Sequence, residues 1–70
     1  MVDVFKTNVE EITESELLLK VLTICFPGTE INFDLEDCDK VLRIQHQGIP
    51  AAEIIHLLSS YGFHCEELPA

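Results

Sequence analysis

The stretch NFDLEDCDK, residues 32–40, gathers four carboxylates, Asp34, Glu36, Asp37 and Asp39, around one thiol, Cys38. Carboxylate oxygens suit hard cations and a thiolate suits soft ones, so the run raises a metal reading. For Ca²⁺ the pattern fails. With Asp34 and Glu36 at the first and third loop positions, the required glycine falls on Asp39 and the closing glutamate on Gln45. Glu10 and Glu11 supply a second acidic pair, and His64-Cys65 a neighbouring imidazole and thiol. Adjacent residues on a strand point to opposite faces, so His64 and Cys65 cannot serve each other as base and nucleophile. The cysteines at 25, 38 and 65 are odd in number and contain no Cys-x-x-Cys, which fits neither a disulfide framework nor a structural zinc knuckle. Reduced thiols are the expectation.

The elements that must position these groups follow from periodicity. VDVFKTN (2–8) reads as a first strand. In TESELLLKVLTICF (13–26), Thr13 and Glu16 fit a capping box, and Leu18, Val21, Leu22 and Cys25 recur at helical spacing as the buried stripe. Pro27-Gly28 stops this helix. EINFDLE (30–36) alternates strictly, with Ile31, Phe33 and Leu35 on one face, and KVLRIQH (40–46) resumes strand character after a tight turn over DCD. Pro50 opens a second helix, AAEIIHLLSSYG (51–62), with Ala51, Ile54, Ile55, Leu58 and Tyr61 in its stripe, and FHCEEL (63–68) closes the chain as a strand. The order β-α-β-β-α-β with short connections predicts an α+β, ferredoxin-like sandwich. Two helices then cover one face of a four-stranded antiparallel sheet of order 4-1-3-2. A single domain spans 1–70, since 70 residues leave no room for a second. In this topology the DCD turn, the loop NVEEITE and the turn YGFH meet at one pole.

The chain resembles the heavy-metal-associated (HMA) domain family, the copper and zinc chaperone modules and the repeats at the front of metal-pumping ATPases. The likeness covers nearly the whole length. It rests on the element order, the DL-turn-VL rhythm of the central hairpin and the closing helix-Tyr61-Gly62-Phe63-strand signature. In that family the loop after strand one carries Met-x-Cys-x-x-Cys, whose thiolates hold Cu(I) or Zn(II). The matching segment here, NVEEITES, has no cysteine, methionine or histidine, so the metal site does not carry over. By the resemblance, Val9 takes the packing role of the family's methionine and Phe63 that of its aromatic.

Each candidate has a simpler reading. The acidic pole of Glu10, Glu11, Asp34, Glu36, Asp37 and Asp39 reads first as a solvated cap that discourages association at that end. A displaced site of Cys38, His64 and Cys65 would have to bridge the two sheet edges, roughly 10–15 Å at ~4.8 Å per strand. A surface histidine and a buried cysteine explain the last two better, and Cys25 reads as core. Neither a phosphate loop nor a nucleophile-base arrangement is visible, and the acylphosphatase variant of this topology needs a loop arginine, whereas Arg43 lies on strand three; no enzyme is expected. One feature exceeds what folding requires. A helix on a two-layer sandwich needs an apolar face of ~100°, yet Leu17, Leu19, Ile24 and Phe26 widen that of helix one well beyond half its circumference. Val41 and Arg43 are expected beside each other on the open sheet face. Those six residues form the predicted interaction surface, for a protein partner or for self-association as a homodimer.

The net charge of −9, thirteen acids against Lys6, Lys20, Lys40 and Arg43, argues against nucleic acid and anionic membrane surfaces and favours a basic protein patch or a cation, a bound metal ion not being expected. No tract is apolar enough to span a bilayer, and the opening MVDVFK lacks the pattern of a secretory signal, so a cytoplasmic location is expected. No cofactor is expected. The sequence thus predicts a small noncatalytic interaction or regulatory module of HMA-like fold without the thiolate site. The alternative is a metal-binding or metal-trafficking protein using the acidic pole or Cys38/His64/Cys65. Small-ligand sensing, as in the similarly ordered ACT domains, is a third option.

Overall fold

The computed structural model of the chain describes residues 1–69. Its elements are β1 (Val2–Thr7), α1 (Ile12–Cys25), β2 (Glu30–Asp34), β3 (Val41–Gln45), α2 (Ala51–Ser60) and β4 (Cys65–Leu68). The strands form one antiparallel sheet in the order β2-β3-β1-β4, the expected 4-1-3-2 order read from the other edge. This is the α+β ferredoxin-like sandwich.

Register decides what each strand gives to the core, because residues directly opposite each other share a face. Phe5 lies opposite Leu42, which lies opposite Phe33; Ile44 lies opposite Ile31, and Cys65 opposite Thr7. This inward face meets Leu18 and Leu22 of α1 and Ile54 and Leu58 of α2 in one buried cluster with Val9, so both helices sit on the same side. Among the described residues no helix covers the other face, which carries Val2, Val4, Lys6, Arg43 and Gln45. Val41, opposite Asp34 on that face, is only 4% exposed. It therefore does not belong to the exposed patch the sequence predicts, because a small side chain on an interior strand is enclosed by longer neighbours on both sides.

Element ends differ from the expectation for identifiable reasons. α1 starts at Ile12 with Glu11 as its N-cap, and Glu14 Oε1 accepts the Glu11 N–H at 3.2 Å, so the capping pair lies two residues before Thr13 and Glu16. Starting there also turns Ser15 inward, where its hydroxyl donates to Ile12 O at 2.7 Å. Cys25 ends α1 exposed rather than in the core. β1 stops at Thr7 because Asn8 uses its side-chain oxygen to accept the His64 N–H at 2.8 Å. β2 ends at Asp34, where a carboxylate oxygen accepts the Glu36 N–H, and β3 begins only at Val41, after Lys40 takes a left-handed φ of 47°. α2 ends at Ser60: Gly62, at φ 88°, lets Phe63 N–H reach back to Leu58 O at 3.0 Å in a Schellman closure, which leaves Tyr61 48% exposed and starts β4 at Cys65. No helix among the described residues is long and apolar enough to cross a membrane.

Candidate functional site

At the pole formed by the ends of β1, β2 and α2, backbone and side chain tie the loops together. Thr7 N–H donates to Asp39 O at 3.0 Å, Thr7 Oγ1 donates to Lys40 O, and Lys40 Nζ donates to Leu35 O at 2.9 Å. Within this frame the donor atoms of Asp37, Cys38 and Asp39 lie within 4.8 Å of one another. Two of them are already engaged. Asp37 Oδ1 accepts the Asp39 N–H at 2.9 Å, the turn-forming contact of an aspartate, and Asp39 Oδ1 stands 3.8 Å from Lys6 Nζ. Three consecutive residues offer two oxygens and one sulfur, well short of the six to eight oxygens that calcium takes.

No other group of three or more such donors comes together among the described residues. Glu10, Glu11, Asp34 and Glu36 thus stay outside the trio, and Cys38, His64 and Cys65 do not converge. Cys38 is exposed on its turn, while Cys65 is buried and faces the core, where desolvation pushes its thiol up from 9.0 to about 12. Such a thiol is a poor metal ligand and a poor nucleophile at neutral pH. His64 is exposed, 3.7 Å from Glu66. The loop between β1 and α1 runs Asn8-Val9-Glu10-Glu11 into the helix, and Val9 is fully buried while Phe63 packs against the core. The residues present therefore do not fit a soft-metal pair.

The opposite pole holds a site the sequence reading passed over. The side chain of His46 is wholly buried, with Nε2 2.7 Å from Asp3 Oδ2. Its Nδ1 accepts two backbone N–H groups, from Gly48 at 3.0 Å and Ile49 at 2.9 Å. An N–H cannot point at another N–H, so the ring proton sits on Nε2 and is donated to Asp3. Every ring nitrogen is thus committed to holding the β3–α2 connection against β1, which is structural work. Only the β3 half was available in alternation, Leu42-Ile44-His46 stepping by two along an inward face; that Asp3 shares this face follows from the register of β1 against β3.

The third candidate is the outward side of the helix layer. Leu17 and Ile24 are 52% and 79% exposed, and Val21 between them is half-buried. Spacings of four and three place these residues on one stripe, and Cys25, four after Val21, continues it into a groove between the helices. That groove, about 560 Å³, is lined by Cys25 and Phe26 from the end of α1 and by Ala52, Glu53, His56, Leu57 and Ser60 of α2. Leu19 is half-buried and borders a second hollow with Lys20, Thr23 and Ile24. Of the predicted interaction residues, Leu17, Leu19, Ile24 and Phe26 gather on the helix layer, while Arg43 is exposed on the far side of the sheet. The chain matches no family model, no curated protein and no solved structure.

Proposed function

We propose that the chain is a noncatalytic interaction or regulatory module: an HMA-like sandwich whose working part is a surface, with no thiolate metal site. The observation that carries this reading is the exposure of Leu17 and Ile24 on a helix that already buries Leu18 and Leu22. Folding uses the inner stripe; among the described residues Leu17 and Ile24 of the outer one stay exposed. Supporting it, the buried imidazole of His46 has both nitrogens engaged, and the buried thiol of Cys65 is held protonated, so neither is free for chemistry. A photo-crosslinking residue placed at Ile24, and separately at Arg43 on the open sheet face, tests it in cells that make the protein. A discrete adduct from one position and not the other supports a defined docking face, and no adduct from either position overturns the reading. Light scattering over a dilution series then tells self-association from a foreign partner.

The convergence of Asp37, Cys38 and Asp39 favours a second reading, a metal-handling protein with a non-standard site. Zinc titration of the intact chain and of Cys38→Ser separates the two. Stoichiometric uptake lost in the variant would favour the metal reading.

A further inference from the structure

We propose that the outward side of the helix layer receives a basic amphipathic helix from a partner protein, with Leu17, Val21 and Ile24 forming the apolar seam. The proposal rests on the interaction-module reading and names its partner. The seam runs seven residues, ~10 Å or two turns of helix, the length over which one helix can lay an i, i+3/i+4, i+7 face against another. Leucine and isoleucine exposed to this degree two turns apart on one stripe, with half-buried Val21 between them and an apolar groove beside them, are what such a face requires.

Charge selects the occupant. The four bases of the chain are unevenly placed: Lys6 and Arg43 lie on the open sheet face and Lys40 is tied to Leu35 O at the turn, which leaves Lys20 alone on the helix layer. Glu14, three residues before Leu17 and seven before Val21, and Glu53 in the groove flank the seam, Glu10 and Glu11 precede α1 at its N-terminal end, and Lys20 beside Ile24 is the single base among them. A second copy of the chain would bring the same carboxylates face to face, a like-charge contact that disfavours docking. Lysine or arginine flanking an apolar stripe meets them with opposite charge, steering encounter while the apolar contact supplies the affinity. A face so small fits a weak, reversible contact.

The test uses the intact chain and a labelled synthetic helix with leucines at i, i+3, i+4 and i+7 and lysines on both flanks, followed by fluorescence anisotropy at physiological salt. Binding is expected, and Ile24→Glu is expected to weaken it about ten- to hundredfold, the loss of one buried aliphatic side chain. The variant adds negative charge, so a purely electrostatic attraction would instead strengthen. Because Ile24 is 79% exposed, the variant should keep its fold, which circular dichroism checks. The same peptide with glutamates replacing the lysines is expected not to bind, and Arg43→Gln is expected to leave binding unchanged. Equal or tighter binding by Ile24→Glu overturns the proposal, as does no binding at all. Weakening by Arg43→Gln alone also overturns it but leaves the interaction-module reading standing on another face. A dimer that Ile24→Glu dissociates would mean that a second copy occupies the seam, and would overturn the proposal in the same way.

Discussion

Replacing His46 by alanine should remove a large share of the folding free energy. The ring is fully buried and is the acceptor for two backbone N–H groups, Gly48 at 3.0 Å and Ile49 at 2.9 Å, and the donor to Asp3 at 2.7 Å. A buried donor left without a partner costs about 1–3 kcal/mol. The Gly48 and Ile49 amides are part-buried, so water offsets part of that cost, and with both left without their acceptor the loss is about 2–4 kcal/mol. Domains hold roughly 0.05–0.15 kcal/mol per residue, about 4–10 kcal/mol for a chain this long, so the variant loses a large share of its stability. Asparagine at 46 can present its side-chain oxygen near the position of Nδ1, restoring the acceptor while losing the contact to Asp3. Asp3 is 18% exposed and can turn to water, so Asp3→Asn should cost only about 1 kcal/mol. Urea denaturation followed by far-ultraviolet circular dichroism therefore should rank the variants wild type, Asp3→Asn, His46→Asn, His46→Ala. If His46→Ala loses less than about 1 kcal/mol, or matches His46→Asn, the Nδ1 acceptor role is wrong.

Three further outcomes follow from burial. In the folded protein Cys25 and Cys38 should react readily with a thiol reagent while Cys65 lags, its thiolate at neutral pH being about a thousandfold rarer with the thiol moved from 9.0 to about 12; in denaturant all three should react alike, as mass spectrometry would record. That same raised thiol makes stability fall as pH climbs from 9 towards 12, because the unfolded chain releases the proton before the folded one does; urea midpoints measured across that window should fall less steeply for Cys65→Ala. Leu22→Ala should cost about 2–5 kcal/mol and Ile24→Ala within about 0.5 kcal/mol, since the first is fully buried and the second 79% exposed; comparable losses would mean that Ile24 belongs to the core and not to a docking face.

Alternation and helical spacing carried the architecture into plain view. Ile31 and Phe33, Leu18 and Leu22, and Ile54 and Leu58 all face the core as their periods predict. What periodicity misplaced lies at element ends, where side chains compete with the ladder for backbone partners: Asn8 takes the His64 N–H, and Glu14 takes that of Glu11. Cys25 and Tyr61 sit at the last turns of their helices, where the stripe runs off the covered area, so spacing alone overstated their burial. Val41 shows the converse error, a residue on the open face buried by its neighbours. The wide apolar girth of α1 was readable and led to Leu17 and Ile24. The Asp3–His46 contact was not read, because it depends on the register between β1 and β3, and an aspartate on an inward face is legible only once that register is known.

The proposed function puts the protein's work on a surface and not on a bound metal. Its most direct test is the metal content of protein purified without chelators or a metal-affinity tag, measured by elemental mass spectrometry and followed by competition titration with Cu(I) and Zn(II). No metal in stoichiometric amount and no tight uptake are expected. One copper or zinc ion held tightly by each chain would contradict the proposed function.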